Sequence, residues 1–145
     1  MFGDFLKRLT QPDPAPLVDT DARLALTALL VRIARSDGSY DPVERAHIDT
    51  IVQTRYAMSA EQAAELRAKA ETLESEAPDT VRFTRAIKDA VAYEDRRAVV
   101  ETLWQVVLAD GERSNEEDAT LRLVTNLLGV SDRDSALARQ KAAKR

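Results

Sequence analysis

The chain has no cysteine. That excludes disulfides, thiolate metal sites and cysteine nucleophiles, although it assigns no compartment. Histidine occurs once, at His47. A Ser-His-Asp arrangement would have to use it, and no serine sits in the glycine-flanked elbow such a nucleophile needs. The four glycines are scattered, so no glycine-rich phosphate loop can form. Aromatics make up only 5% of the residues while alanine and leucine abound, which favours helices over strands. No apolar run approaches the ~20 residues needed to span a bilayer, and the N-terminus lacks the apolar core of a secretory signal. A cytoplasmic location is the expectation. A basic excess is missing too. The net charge of −4 argues against a non-specific nucleic-acid binder, and Arg82, Arg85 and Lys88 read as a solvated helix face.

What is present is an ordinary globular composition, 44% hydrophobic and 32% charged over 145 residues, which suits one domain with one core. Phe2, Phe5, Leu6 and Leu9 fall at helical spacing, with Asp4, Lys7 and Arg8 between them. The stretch Gln11-Pro12-Asp13-Pro14-Ala15-Pro16 then breaks any helix. Residues 1–16 therefore read as a short amphipathic segment plus a proline-rich linker, and 17–145 as a single helical domain. So short a helix is marginal in water, which favours a frayed end or a flap packed on the domain over an attachment to a partner or membrane. On this reading removal of 1–16 leaves the domain folded.

From Asp19 onward the pattern is helical throughout. Asp19 or Thr20 can cap a run to about Ser36 whose Leu24, Leu26, Leu29, Leu30, Val31 and Ile33 surround most of the cylinder, as a central helix requires. Asp41, Pro42 and Glu44 supply an N-cap, a first-position proline and a reciprocal capping glutamate for a second helix. Ser59 caps a third, Pro78 starts a fourth, and Val99 to Leu108 form another nearly all-apolar one. Leu121, Val124, Leu127 and Leu128 follow, Gly129 stops that helix, and Ser131 caps a last one. Trp104 reads as a core anchor. The expected fold is all-α: a compact bundle of about seven helices, built from two similar helical-hairpin halves related by a pseudo-two-fold axis.

The two halves share an unusual turn. Arg35-Ser36-Asp37-Gly38-Ser39-Tyr40-Asp41-Pro42-Val43-Glu44 and Leu108-Ala109-Asp110-Gly111-Glu112-Arg113-Ser114-Asn115-Glu116-Glu117 each place an Asp-Gly pair after an apolar helix and a glutamate seven residues beyond the aspartate. The copies lie 73 residues apart. Glycine suits the left-handed end of a helix. An acid just before it sits at the negative end of the helix dipole, where an anion is disfavoured by roughly 0.3–1 kcal/mol. Carrying that cost twice points to a task for the carboxylates, and a bound cation is the simplest. Each turn has the glycine-to-glutamate spacing of an EF-hand loop but lacks that loop's earlier ligands. Two half-sites facing each other would give one hard-cation site from Asp37, Glu44, Asp110 and Glu117. The competing reading is that these acids only cap helices and close turns. Glu44-Arg45-Ala46-His47 also spells the Glu-x-x-His of di-iron bundles, but the corresponding place in the second half is Thr120, so His47 reads as a structural, partly exposed histidine.

The run Leu103-Trp104-Gln105-Val106-Val107-Leu108-Ala109-Asp110-Gly111, then Glu116-Glu117, then Leu127-Leu128-Gly129-Val130, resembles the tellurite-resistance TerB family, in its stand-alone TerB-like branch. Ala34-Arg35-Ser36-Asp37-Gly38 with Asp41-Pro42-Val43-Glu44 resembles the same family's first-half turn, with Arg35 where alanine is usual. The resemblance spans about Asp19 to Ala138. It implies a compact helical protein of two similar halves, cytoplasmic and non-enzymatic, with an acidic patch that binds a divalent cation, calcium the best fit. It places Asp37, Glu44, Asp110 and Glu117 on the acidic positions, with Asp41 and Glu112 as further contributors. It also implies a role in stress response through protein partners, some of them membrane-associated, with no organic cofactor and no nucleic acid. Direct tellurite binding is not expected, because a chain of net negative charge without thiols offers that oxyanion nothing.

Overall fold

The computed structural model describes residues 2–11, 19–35, 40–77, 79–109 and 115–143; at 19, 106, 107, 109, 115–118 and 120 only the backbone is described. Eight helices and no strand occur among these residues. They are α1 (Gly3–Thr10), α2 (Asp19–Arg35), α3 (Pro42–Tyr56), α4 (Ala60–Glu76), α5 (Thr80–Ala90), α6 (Tyr93–Ala109), α7 (Asn115–Leu127) and α8 (Asp132–Ala143). The seven helices expected beyond residue 17 all form, and α1 precedes them.

The ends of these helices follow from their capping residues. The Ser59 hydroxyl accepts the Gln62 amide at 3.1 Å while the Gln62 side chain accepts the Ser59 amide at 3.0 Å, a reciprocal capping box. Ser131 accepts the Asp134 amide at 3.1 Å. Two starts shift from expectation. α5 begins at Thr80, capped by Asp79 through the Arg82 amide at 3.0 Å, rather than at Pro78, which lies outside the described residues. Asp19 is already inside α2 instead of capping it.

α2 is the hub, packed against α3, α4, α5, α6 and α7. Its residues Ala25 to Val31, Ile33 and Ala34 are all buried, which is why its sequence is apolar on nearly every side. α6 is more one-sided: Val99, Val100 and Leu103 are buried, but Trp104, Gln105 and Leu108 are only half-buried. α2 packs most extensively on α4, and α6 on α8, which are corresponding elements of the two halves. The halves then diverge, since α3 packs on α4 while its counterpart α7 packs on α5.

α1 is part of this core. Phe5 and Leu9 are buried, Phe2 and Leu6 pack beside them, and the helix lies on α5. The Phe2 amide also reaches a Glu76 carboxylate oxygen at 3.3 Å. The amphipathic segment is thus a flap packed on the domain, with its apolar face spent on α5 rather than offered to a membrane. Among the described residues four threonines are buried in the interior; Thr27, Thr102 and Thr125 donate to the carbonyl four residues back. The Thr84 hydroxyl has no partner among the described residues.

Candidate functional site

The first Asp-Gly turn joins α2 to α3. Where the description resumes, Asp41 is extended, with φ −98° and ψ 173°, and its Oδ1 accepts the Glu44 amide at 3.0 Å. Pro42 takes the first helical position, where its missing N–H costs nothing. Asp41 is exposed, and Glu44 is half-buried with its Oε2 shielded from solvent. Between them Val43 is 76% exposed. Of the acids named as cation ligands, these are the two whose side chains are described. Asp37, Asp110 and Glu112 lie outside the described residues; Glu117 falls in the first turn of α7, with its side chain undescribed. Among the described residues no three or more acidic or histidine side chains gather closely enough to hold a metal ion. Carboxylate oxygens are the donors a hard cation takes, but calcium takes about six to eight of them. Asp41 and Glu44 fit that chemistry as part of a site; by themselves they do not complete it.

Behind this turn lies a charged cluster that sequence spacing does not announce, because its members come from separate helices. Tyr40 leads out of the turn with its ring between two guanidiniums, Arg35 at 5.6 Å and Arg45 at 5.0 Å from the centroid. Its hydroxyl is shielded and faces the Glu71 carboxylate of α4 without closing a well-aligned hydrogen bond. Burial first, and then Glu71, push the phenol well above its usual range. Glu71 in turn meets Arg45 at 3.6 Å and Arg67 at 3.2 Å, and Arg67 reaches Asp49 of α3 at 2.7 Å. Burial alone would lower the Arg67 pKa, but Asp49 and Glu71 outweigh it and raise the pKa overall. On the other side Glu74 accepts from both Arg32 at 3.1 Å and Arg35 at 3.0 Å. The last turn of α2, the first of α3 and the outer half of α4 are tied together around Tyr40. The only hint in the sequence is the Arg67/Glu71 spacing of four, which pairs side chains on one helix.

His47, on α3, is half-buried, and its Nε2 is shielded with no hydrogen-bond partner among the described residues. It lines a cleft of about 810 Å³ where α3 meets α6 and the end of α8, with Thr50, Thr54, Arg55 and Gln105 among its neighbours. Trp104 departs from the expectation of a core anchor. It is half-buried at the edge of the core and lines a second groove, of about 580 Å³, between α7 and α8. The helix α6 turns Val99, Val100 and Leu103 inward and leaves its tryptophan at the seam.

The comparison with known families is decided by one span. Residues 23–140 match the model of the family described as Tellurite resistance protein TerB. The chain belongs to the TerB family. The matched span runs from within α2 to within α8, so it takes in both Asp-Gly turns and leaves α1 outside. Neither a curated protein nor a solved structure matches the chain. For a TerB-family chain the all-helical bundle is the fold the sequence led one to expect.

Proposed function

We propose that this TerB-family chain is a non-enzymatic stress-response protein of the cytoplasm that binds a divalent cation through its paired Asp-Gly turns and acts through protein partners. The observation that carries the reading is the repeated spacing: aspartate, glycine and a glutamate seven residues on, twice, 73 residues apart. Asp37, Glu44, Asp110 and Glu117 would hold the cation, with Asp41 and Glu112 as auxiliary ligands. Calcium fits an all-oxygen donor set best. The bound ion would supply charge neutralisation at the negative ends of α2 and α6.

The alternative is a ligand-free helical scaffold in which the acids only cap. It is favoured by the Asp41 cap, which is complete as it stands. A thermal-shift series with calcium, magnesium, manganese and zinc separates the two. A ligand at a hundred-fold excess over Kd stabilises by roughly 2.7 kcal/mol. A shared site also couples the turns. Asp37→Asn or Asp110→Asn alone should abolish most binding, and the double change should add little. Without cation each single change should leave stability unchanged or raise it, since an anion is removed from a helix C-terminus. Loss of stability in both variants without cation, and no shift with any metal, would leave the scaffold reading standing.

A further inference from the structure

The groove beside Trp104 has three properties that together specify an occupant. It is lined by α7 and α8, with Trp104 contributed by α6. The first property is a fixed aromatic surface. The indole N–H donates to the Ser135 Oγ at 3.2 Å, and the Arg139 guanidinium stands 5.3 Å from the ring centroid. The ring is therefore held in place before anything binds, so little side-chain entropy is lost on contact. The second is charge. Arg122 and Arg139, from the two facing helices, are exposed on the groove, and neither forms an ion pair among the described residues. Among the described residues Asp132 is the one acid lining it, in a chain of net charge −4. The third is the remaining surface. Asn126 and Gln140 offer carboxamides, which can both donate to and accept from a peptide backbone, while buried Leu121 supplies an apolar floor.

We propose that this groove docks an extended acidic segment of a partner protein, with an apolar side chain set against Leu121 and Trp104 and flanking carboxylates paired with Arg122 and Arg139. Guanidinium forks bind carboxylates in pairs of parallel hydrogen bonds, and arginine and tryptophan are the residues that anchor interfaces. A volume of about 580 Å³ accommodates a few residues of peptide, not a folded surface. A nucleic-acid strand would also stack on an indole, but it would meet a protein of net negative charge with Asp132 in its path. The proposal deepens the partner half of the proposed function and does not depend on the cation.

The chain carries its own probe, because Trp104 is its only tryptophan. The 145-residue chain, in EDTA and low salt, is titrated with acetyl-Glu-Asp-Leu-Glu-Asp-amide while tryptophan emission is followed. The same titration is made with the lysine counterpart acetyl-Lys-Lys-Leu-Lys-Lys-amide, with acetylglutamate and with single-stranded oligonucleotide. The expected result is a saturable change with the acidic peptide alone, weakened about tenfold or more in Arg122→Gln and in Arg139→Gln. Affinities rather than amplitudes are compared, since Arg139 itself touches the indole. No saturable change, an equal response to the lysine peptide, or unaltered affinity in both arginine variants overturns the proposal. Equal affinity for acetylglutamate overturns it in favour of a small-acid site, and preference for the oligonucleotide in favour of nucleic acid. Because EDTA is present throughout, failure here leaves the cation reading untouched, and failure of the cation series leaves this one untouched.

Discussion

Ala57 and Gly129 hold the same left-handed backbone at the same place in two connections, with φ 52° and 73°. In each, the next residue closes the helix end: the Met58 amide donates to the Gln53 carbonyl and the Val130 amide to the Thr125 carbonyl, both at 3.1 Å. A capping serine follows in both, Ser59 and Ser131. Only one of the two sites uses the residue suited to the conformation. An alanine there carries roughly 1–2 kcal/mol of left-handed strain, part of which a glycine gives back through greater unfolded-state freedom. Ala57→Gly should therefore raise stability by a few tenths to about 1 kcal/mol. Gly129→Ala should lower it by about 1–2 kcal/mol, because strain is added and the new Cβ would stand 2.9 Å from Lys88 Cε and 3.2 Å from Arg96 Nη1. Lys88 can move aside, but Arg96 is held by the Leu128 carbonyl. Urea denaturation of the two variants checks the opposite signs.

Thr84 is fully buried and its hydroxyl has no partner among the described residues. Replacement by the near-isosteric valine removes a desolvated polar group while keeping the volume. Thr84→Val should stabilise the fold by about 1–2 kcal/mol. The control is Thr125→Val, which removes a hydroxyl bonded to the Leu121 carbonyl at 2.8 Å and should not gain. Equal effects at the two sites would mean that the Thr84 hydroxyl is satisfied in solution.

Leu9 is 1% exposed, although it belongs to the segment that the sequence suggested could be removed. Leu9→Ala should cost about 2–5 kcal/mol, the usual range for truncating a buried leucine. Deletion of residues 1–16 should lower the melting temperature by on the order of 10 °C, since Phe5 and Leu9 both leave the core. A deletion variant that melts with the intact chain would show that α1 contributes no stability.

The Tyr40 phenol is raised in the folded state, by burial and then by Glu71. A folded pKa above the unfolded one means that the folded chain keeps its proton where the unfolded chain loses it. The stabilisation is complete below the ordinary tyrosine value of about 10 and drains away as pH rises beyond it. Stability should therefore fall in the alkaline range, and Tyr40→Phe should flatten that fall. Thermal melts of the two proteins on either side of pH 10 give the comparison. A parallel decline in both would place the alkaline loss elsewhere.

The sequence by itself determined the helices. Apolar residues at a period of 3.6, a proline after Asp41, serines at 59 and 131 and a glycine at 129 act within one or two turns of chain, so they can be read without knowing what lies opposite. It also marked α2 as the central helix, because a helix apolar all round can only be buried. The family was legible for the same reason, being carried by contiguous motifs in both halves. Tertiary structure decided what depends on partners far along the chain. Whether Phe5 and Leu9 face a membrane or α5 is invisible in their spacing, because both give the same amphipathic stripe. The bracing of Tyr40 by Glu71, and of Arg32 and Arg35 by Glu74, joins residues some 30 to 40 positions apart. Trp104 shows the limit most clearly. Its neighbours Leu103 and Val100 are buried as their pattern requires, yet the packing of α6 beside α7 and α8 left the indole at a seam that lines a groove. Local sequence fixes which residues share a helix face; only packing fixes what that face meets.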